Sequence, residues 1–254
     1  LPSSGQVYTW SQEDGTVLIP DSVMLAGNPG ISDDGTKVAA ALKVNGVVQW
    51  GIFENGAWTI VPPAPGTVPC TSGPEGPTWG SLFGFSGDGS TLGGFSYTQG
   101  CANAGIQPST WTAAGGWQIL PKDPAFPTRV ARVNSFSYDG SVITGRQDTN
   151  GSVGVYWKDG QEHYLGSPTG LPFFGNGLYV TRDGSTVLGG GFTDDLATPG
   201  RAYRYYTTTN TWDVVSDNPA GSTGFATTSS RVWPAVWLAN SFWGPMHDLL
   251  DLLG

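Results

Sequence analysis

Charge is scarce in this chain, and the scarcity limits the classes of function that the sequence can serve. Only 12% of the 254 residues are charged, about half of the ~25% that is usual in soluble domains. Lysine and arginine together number 11 against 20 aspartates and glutamates, and the chain has no basic run. Its net charge of −9 would repel nucleic acids and anionic membrane surfaces. We therefore expect neither of them as a partner.

Long apolar runs and helical periodicity are also missing. No apolar stretch reaches the length of about 18 residues that a membrane-spanning helix requires, so no such segment is predicted. The chain starts at Leu1 rather than at a methionine and carries no secretory signal. We expect a processed exported protein or an excised fragment. The low charge and the few lysines favour an extracellular or periplasmic location.

Cysteine is limited to Cys70 and Cys101, which lie 31 residues apart in loop-like sequence. Neither belongs to a C-x-x-C pair or has a histidine nearby, so a metal site is not expected. The sequence favours a disulfide between them, with two free thiols as the alternative. A bridge closing a loop of this length stabilises a fold by ~3 kcal/mol, and such bridges persist in oxidising compartments.

One short sequence motif, called the phrase below, occurs four times in the chain. It reads apolar residue, Ser or Thr, any residue, Asp, Gly, Ser or Thr, and its aspartates are Asp34, Asp88, Asp139 and Asp183. Successive aspartates are 54, 51 and 44 residues apart. A period near 50 residues indicates an array of supersecondary units, and a radial array of small sheets is the leading form. We expect each aspartate to stabilise its own tight turn rather than to bind a metal.

The strand pattern around this phrase predicts an all-β fold, a β-propeller of about six four-stranded blades, with five or seven as alternatives. The predicted units span about 1–25, 26–77, 78–128, 129–172, 173–215 and 216–254 of a single domain. The first unit offers only a third and a fourth strand, and the last has lost the intact phrase, so one blade is expected to be incomplete in this chain. A recurrent aromatic of the third strand is expected to pack between sheets, at Trp10, Phe53, Trp111, Trp157, Tyr205 and Trp237.

The phrase Phe136-Ser-Tyr-Asp139-Gly-Ser and the strand after it resemble the repeats of TolB-type propellers. The later third-strand aromatic, as in Val155-Tyr-Trp157, is similar to the bacterial extracellular repeat named HAF. The resemblance covers roughly residues 31–250. It implies a propeller used mostly for interactions, and it carries over no catalytic residue.

Candidate binding residues are aromatics outside the third-strand column, because they fall in connections, where binding residues concentrate. They are Trp79, Trp233, Trp243 and the pair Phe173 and Phe174. The acidic pair Asp194 and Asp195 is a further candidate, since two carboxylates could cleave a glycoside or hold calcium. Solvated turn residues are the plainer interpretation of that pair. No cofactor or metal is otherwise predicted.

Enzyme signatures are missing from the sequence. His163 and His247 fall in or just after peripheral strands, and no G-x-S-x-G, H-E-x-x-H or phosphate-loop motif occurs. The leading hypothesis is a secreted non-catalytic binding or scaffold propeller that presents loops to a glycan, to a cell-surface protein or to its own copies. The alternatives are an extracellular polysaccharide-degrading hydrolase or lyase and a structural subunit of an extracellular assembly. Whether the chain is an enzyme stays undecided, with more weight against it.

Overall fold

The structure, a computed structural model, describes residues 5–24, 26–72, 76–149, 152–166, 173–192, 201–216, 225–227 and 234–236. These residues are built almost entirely from antiparallel β-strands, with a single 3-10 turn at Asn103–Gly105 among them. The chain divides into two compact units. The first unit holds residues 1–120 and 127–133, and the second holds residues 121–126 and 134–254.

The strands follow one another as meanders in chain order. A two-stranded sheet pairs β1 (Tyr8–Ser11) with β2 (Gly15–Leu18). Next comes a sheet of β3 (Ser22–Val23), β4 (Gly30–Ile31), β5 (Lys37–Val44), β6 (Val47–Glu54) and β7 (Ala57–Ile60), in which β3 and β4 pair with the same strand, β5. The short strands β3 and β4 therefore take the place of one continuous first strand.

Three four-stranded sheets follow. The first contains β8 (Gly80–Phe85), β9 (Thr91–Tyr97), β10 (Ile106–Thr112) and β11 (Gly116–Ile119). The second contains β12 (Ala131–Phe136), β13 (Val142–Asp148), β14 (Ser152–Lys158) and β15 (Gln161–Tyr164). The third contains β16 (Phe173–Val180), β17 (Thr186–Phe192), β18 (Arg201–Tyr206) and β19 (Thr211–Ser216). The strands β20 (Phe225–Thr227) and β21 (Pro234–Val236) pair with each other. The prediction of repeated four-stranded sheets is confirmed for the described residues.

The repeated phrase forms the turn between the first and second strands of each sheet. In the third repeat, Ser137 donates a hydrogen bond to Asp139 Oδ1 at 2.9 Å and accepts one from the amide of Val142 at 3.0 Å. The amide of Ser141 also donates to Asp139 Oδ1, at 3.0 Å, and Gly140 has a φ of 71°, which a glycine adopts without strain. Ser32, Ser86 and Thr181 make the same bond to Asp34, Asp88 and Asp183.

Neighbouring turns of the repeat are joined through the residue between the hydroxyl residue and the aspartate. In the first unit, the amide of Asp33 donates to the carbonyl of Gly87 at 2.8 Å. In the second unit, the amide of Tyr138 donates to the carbonyl of Arg182 at 2.9 Å, and the Arg182 guanidinium lies 3.6 Å from the centre of the Tyr138 ring. The phrase therefore links successive sheets as well as closing each turn.

The third-strand aromatics mostly lie in the hydrophobic core. The exposed fraction of the side chain is 7% for Trp111, 1% for Trp157 and 5% for Tyr205. Trp10 differs, with 69% exposed, because it belongs to the two-stranded sheet, where no further described strand covers it. Trp237 lies outside the described residues. Packing is thus the role of the column in the sheets that have four strands.

One predicted connection is placed wrongly by the sequence. The sequence predicts Phe173 and Phe174 to lie in a connection, but strand β16 begins at Phe173 and pairs with β17. The register of this pair shifts between Phe174 and Asn176 and again between Gly177 and Tyr179. Such bulges interrupt the alternation of side chains, and the glycines in the segment imitate a loop composition.

Candidate functional site

A cleft in the first unit brings together three tryptophans from separate parts of the sequence. Trp50 comes from β6, Trp79 precedes β8 and Trp117 comes from β11, and the remaining lining residues are Gln49, Val61, Pro62 and Pro63. We call this set the tryptophan cleft. The cleft is small, with a volume of about 10 Å³, which is close to the room that one water molecule needs.

The inner wall of the cleft is made by a pair of indole rings. The ring centres of Trp50 and Trp117 are 4.8 Å apart, and the ring planes are inclined by 48°. Trp117 is fixed in this position because its indole N–H donates to the carbonyl of Pro62 over 2.6 Å. Trp50 is 3% exposed and packs with Leu82, Leu92 and other core residues. The wall is therefore a rigid part of the core.

The indole N–H of Trp50 differs from that of Trp117 in having nothing to bind. Its nitrogen is buried, and it has no hydrogen-bond partner among the residues that the structure describes. A buried donor without an acceptor costs free energy, and most such groups in proteins find a partner in the protein or in ordered water. Because this nitrogen is buried, it is not accessible to a group that sits in the cleft.

Backbone hydrogen bonds position the third tryptophan. The amide of Trp79 donates to the carbonyl of Val48 at 3.2 Å, and the carbonyl of Trp79 accepts from the amide of Tyr97 at 2.9 Å. The preceding residue, Thr78, exchanges two backbone hydrogen bonds with Cys70, at 2.8 and 2.9 Å. Trp79 is consequently fixed between two sheets of the first unit, with its side chain half-buried at the cleft.

The predicted disulfide is present in this connection. Cys70 and Cys101 are bonded, and their Cα atoms lie 4.4 Å apart. Cys70 is buried at 4% exposure, and its backbone pairs with the residue before Trp79. The bridge therefore ties the segment that carries Trp79 to the segment that follows β9.

The cleft carries no formal charge. Its lining residues are three tryptophans, two prolines, a valine and the amide of Gln49. Aromatic faces and proline rings offer apolar contact area, whereas Gln49 offers both hydrogen-bond donors and an acceptor. Such a lining suits an uncharged ligand with mixed apolar and polar groups, because a charged one would be desolvated without a partner.

The structure brings one of the residues predicted as binding candidates into this cleft, namely Trp79. Phe173 and Phe174 are the first two residues of strand β16 in the second unit. Trp233, Trp243, Asp194 and Asp195 lie outside the described residues. These assignments stay predictions, because nothing in the geometry tests them.

Sequence reasoning missed the other two tryptophans of the cleft. Trp117 lies in the fourth strand of its sheet, and Trp50 lies in the third strand of its sheet, three residues before the column aromatic Phe53. One signal was available, since Trp50 is an extra large aromatic in a strand that already has its column residue. The Pro62-Pro63 pair, directly after the fourth strand of the same sheet, was a second signal.

A cluster of carboxylates in the second unit was also missed. Asp123 Oδ2 accepts a hydrogen bond of 2.6 Å from the Tyr164 hydroxyl, and this bond and one from the amide of Ala125 lower the pKa of Asp123. Burial raises the pKa of nearby Glu162 to about 7, with a smaller contribution from the charge of Asp123, while the charge of Lys122 opposes the rise. The pKa values of these two neighbouring carboxyl groups are therefore shifted in opposite directions.

Within the described ranges, no group of three or more histidines, cysteines, aspartates or glutamates is arranged to hold a metal ion. Across these ranges there is likewise no helix of the length and apolarity that crossing a bilayer requires.

Comparison with known proteins identifies the fold. The chain is similar to TolB from Acinetobacter baumannii, with a TM-score of 0.50, 13% identity, and coverage of 74% of this chain and 42% of that protein. It is also similar to a TolB-type protein from Agrobacterium tumefaciens, with a TM-score of 0.55, 14% identity, and coverage of 85% and 75%. The β-propeller domain of the Trilobed protease from Pyrococcus furiosus gives a TM-score of 0.53, 12% identity, and coverage of 94% and 76%.

These similarities, together with the four-stranded antiparallel sheets, establish a β-propeller fold and confirm the predicted fold class. The chain spans less than half the length of the Acinetobacter TolB. No family model matches the sequence, and no curated protein matches it. The resemblance to TolB-type propellers is thus supported at the level of fold, whereas the resemblance to the HAF repeat stays a prediction.

Proposed function

We propose that this chain is a non-catalytic binding module of an exported protein and that the tryptophan cleft is where it holds its partner. The observation that carries the proposal is the convergence of Trp50, Trp79 and Trp117 in one cleft. Clefts lined by aromatic residues with a few polar groups are the usual form of ligand sites. Aromatic anchors also dominate the energetics of protein interfaces.

Three further observations support the proposal. The fold is shared with TolB proteins and with the propeller domain of a protease, so its blades serve more than one kind of protein. The disulfide between Cys70 and Cys101 agrees with an oxidising compartment, as expected for a periplasmic or extracellular module. Finally, the cleft needs no titratable group to bind, in keeping with its uncharged lining.

The test is binding of the purified chain to a panel of soluble polysaccharides and of extracellular proteins, with a Trp79→Ala variant and a Trp10→Ala control. Trp79 lines the cleft, whereas Trp10 is 69% exposed on another sheet. We expect Trp79→Ala to abolish retention of the bound partner, while Trp10→Ala retains it. Equal retention by both variants would exclude the cleft as the binding site.

Enzymatic cleavage of a polysaccharide is the second candidate, and one observation favours it. The carboxyl groups of Asp123 and Glu162 have pKa values moved in opposite directions, as those of a base and an acid often are. Mass spectrometry of the supernatants from the binding panel would detect released oligosaccharides. Products that disappear in a Glu162→Gln variant would favour the enzyme over the binding module.

A further inference from the structure

We propose that the free edge of strand β1 is a docking site for an extended, cationic segment of another protein chain. This segment carries an aliphatic residue two positions before a glycine or an alanine. The site belongs to the hairpin of β1 and β2 and shares no residue with the tryptophan cleft. It therefore goes beyond the proposed function and does not depend on it.

The backbone of β1 has hydrogen-bonding groups that β2 does not use. The carbonyl of Val7 accepts from the amide of Ile19 at 2.9 Å, which makes these two residues a hydrogen-bonded pair of the ladder. Because such pairs alternate along an antiparallel ladder, the N–H and C=O groups of Tyr8 and Trp10 point away from β2. Among the described strands, only β2 pairs with β1. An added strand can therefore bond to these groups, as extended peptides do at open sheet edges.

The hairpin is anchored to the next sheet although it has only two strands. Val7 and Ile19 are buried in a hydrophobic cluster with residues of β5. The indole N–H of Trp58 donates to the carbonyl of Pro20, just after β2, at 2.9 Å. A two-stranded hairpin is marginally stable by itself in water, so this anchorage is what holds the free edge in place.

The aromatic residues beside the free edge are exposed. The exposed fraction is 57% for Tyr8 and 69% for Trp10, whereas it is at most 7% for the column aromatics Trp111, Trp157 and Tyr205. Each of these three residues pairs with the second strand of its sheet, on the side where β1 has a free edge. An added strand would thus supply one of the contacts that bury the column aromatic elsewhere.

The larger sheets show which residue types fit beside the column. Opposite the column aromatic, their second strands carry an aliphatic residue, namely Val38, Leu92, Ile143 or Val187. Two positions later, opposite the residue that corresponds to Tyr8, they carry a small one, namely Ala40, Gly94, Gly145 or Gly189. Gly189 faces a tyrosine, Tyr203, as the added strand would face Tyr8. Since directly opposite side chains contact each other, the same pattern should fit β1.

The charge of the hairpin favours a cationic segment. Its turn contains Glu13 and Asp14, and the hairpin has no lysine or arginine. At the corresponding place in the next sheet, Lys37 pairs with Glu54, the residue after the column aromatic. A cation directly before the aliphatic residue would face Ser11 and lie beside the acidic turn. The net charge of −9 also attracts such a segment.

A second copy of this chain is the main competitor, since two β1 edges could pair about a two-fold axis. The segment Tyr8–Ser11 offers neither an aliphatic residue nor a glycine or alanine to its copy. Two strands of this length also bury much less than the ~800 Å² per partner of a stable interface. The chain's own strands with the matching pattern, β5, β9, β13 and β17, are already paired within their sheets. We therefore assign the added strand to another protein.

The test is a titration of the ¹⁵N-labelled chain with a synthetic peptide that has the sequence of residues 35–44. This peptide carries Lys37, Val38 and Ala40 in the required order. We expect it to shift the indole signal of Trp10, which its loss in Trp10→Ala assigns, and to slow hydrogen exchange at the amides of Tyr8 and Trp10. A Val38→Asp peptide should do neither. Slow exchange of these amides before any peptide is added would overturn the proposal, because the chain itself would then fill the edge.

Affinity measurements locate the peptide on the hairpin. We expect Trp10→Ala to weaken binding about tenfold, since an exposed aromatic anchor is lost. The matched control is Ile119→Ala, because Ile119 is also exposed, at 49%, but lies on β11 of a four-stranded sheet. This control should bind as the unchanged chain does. A Lys37→Glu peptide should bind more weakly, and the difference should shrink as salt is added.

The remaining outcomes separate this site from the cleft and from self-association. Trp79→Ala should bind the peptide as the unchanged chain does, so a failure of this proposal and a failure of the cleft are distinct results. Equal affinity in Trp10→Ala and Ile119→Ala, or no binding at all, would overturn the proposal. A molar mass that doubles with concentration, and does so only while Trp10 is present, would overturn it in favour of a second copy.

Discussion

The indole N–H of Trp117 donates to the carbonyl oxygen of Pro62, although 55 residues separate them in the sequence. Trp58 does the same to Pro20 over 2.9 Å, and Trp157 does the same to Pro121 over 2.8 Å. In the first unit, each proline follows the last strand of one sheet and each tryptophan belongs to the next. In all three cases a tryptophan side chain thus holds the connection between two sheets through its indole N–H, an arrangement that we call the tryptophan clamp. The indole N–H of Trp50 differs, because it has no acceptor among the described residues.

The clamp makes a measurable contribution to stability, which we expect to be largest at Trp157. This side chain is 1% exposed and is the largest fully buried one among the described residues. Trp157→Phe removes the hydrogen bond to Pro121 and leaves a cavity, so the free energy of unfolding should fall by about 2–4 kcal/mol. Urea denaturation followed by circular dichroism measures the change. Trp10→Phe, at the exposed position, should change stability by less than about 0.5 kcal/mol.

We expect the repeated turn to depend on its buried hydroxyl residue. Ser137 is completely buried and bonds both to Asp139 and to the amide of Val142. Ser137→Ala leaves that amide without a partner and should lower the free energy of unfolding by about 1–2 kcal/mol. The exposed Thr208→Ala is the control, for which denaturation curves should coincide with those of the unchanged chain. Coincident curves for Ser137→Ala would show that the turn does not need the hydroxyl.

The sequence predicts the turns well because each is a local event. Ser137 and Asp139 act within six residues, and the same spacing recurs in every intact repeat. The cleft is harder to foresee, because Trp50, Trp79 and Trp117 meet only after three segments have been packed together. The sequence predicts Trp79 from its place in a connection, whereas Trp50 and Trp117 lie within strands. The start of β16 at Phe173 was missed because bulges break the alternation that reveals a strand.

Glu162 should make stability fall as the pH rises. Burial raises its pKa in the folded protein to about 7 from a usual value of 4.5. Between these two pH values the unfolded chain releases the proton while the folded chain keeps it. The free energy of unfolding therefore decreases as the pH rises from 4.5 to about 7. We expect Glu162→Gln to remove this decline between pH 4.5 and pH 7. Thermal unfolding at several pH values measures it.

Asp123 provides the control of opposite sign in the same cluster. Its pKa is lowered, first by the hydrogen bond from the Tyr164 hydroxyl. It therefore contributes stability above its usual pKa of 3.8, and that stability is lost as the pH falls through the folded value. Asp123→Asn should weaken the fold at neutral pH, where Glu162→Gln strengthens it. Changes of the same sign in both variants would contradict the assignment.

The disulfide should influence the cleft as well as stability, because Cys70 pairs through its backbone with Thr78, the neighbour of Trp79. Reduction opens a crosslink that spans 31 residues, and we expect the free energy of unfolding to fall by about 3 kcal/mol. We also expect the indole NMR signal of Trp79 to broaden or shift, since the segment carrying it gains freedom. A double variant with Cys70→Ser and Cys101→Ser should have the stability of the reduced protein, and adding reductant should not change it. A loss of stability with an unchanged Trp79 signal would mean that the backbone hydrogen bonds of Trp79, to the Val48 carbonyl and from the Tyr97 amide, suffice to hold that wall of the cleft.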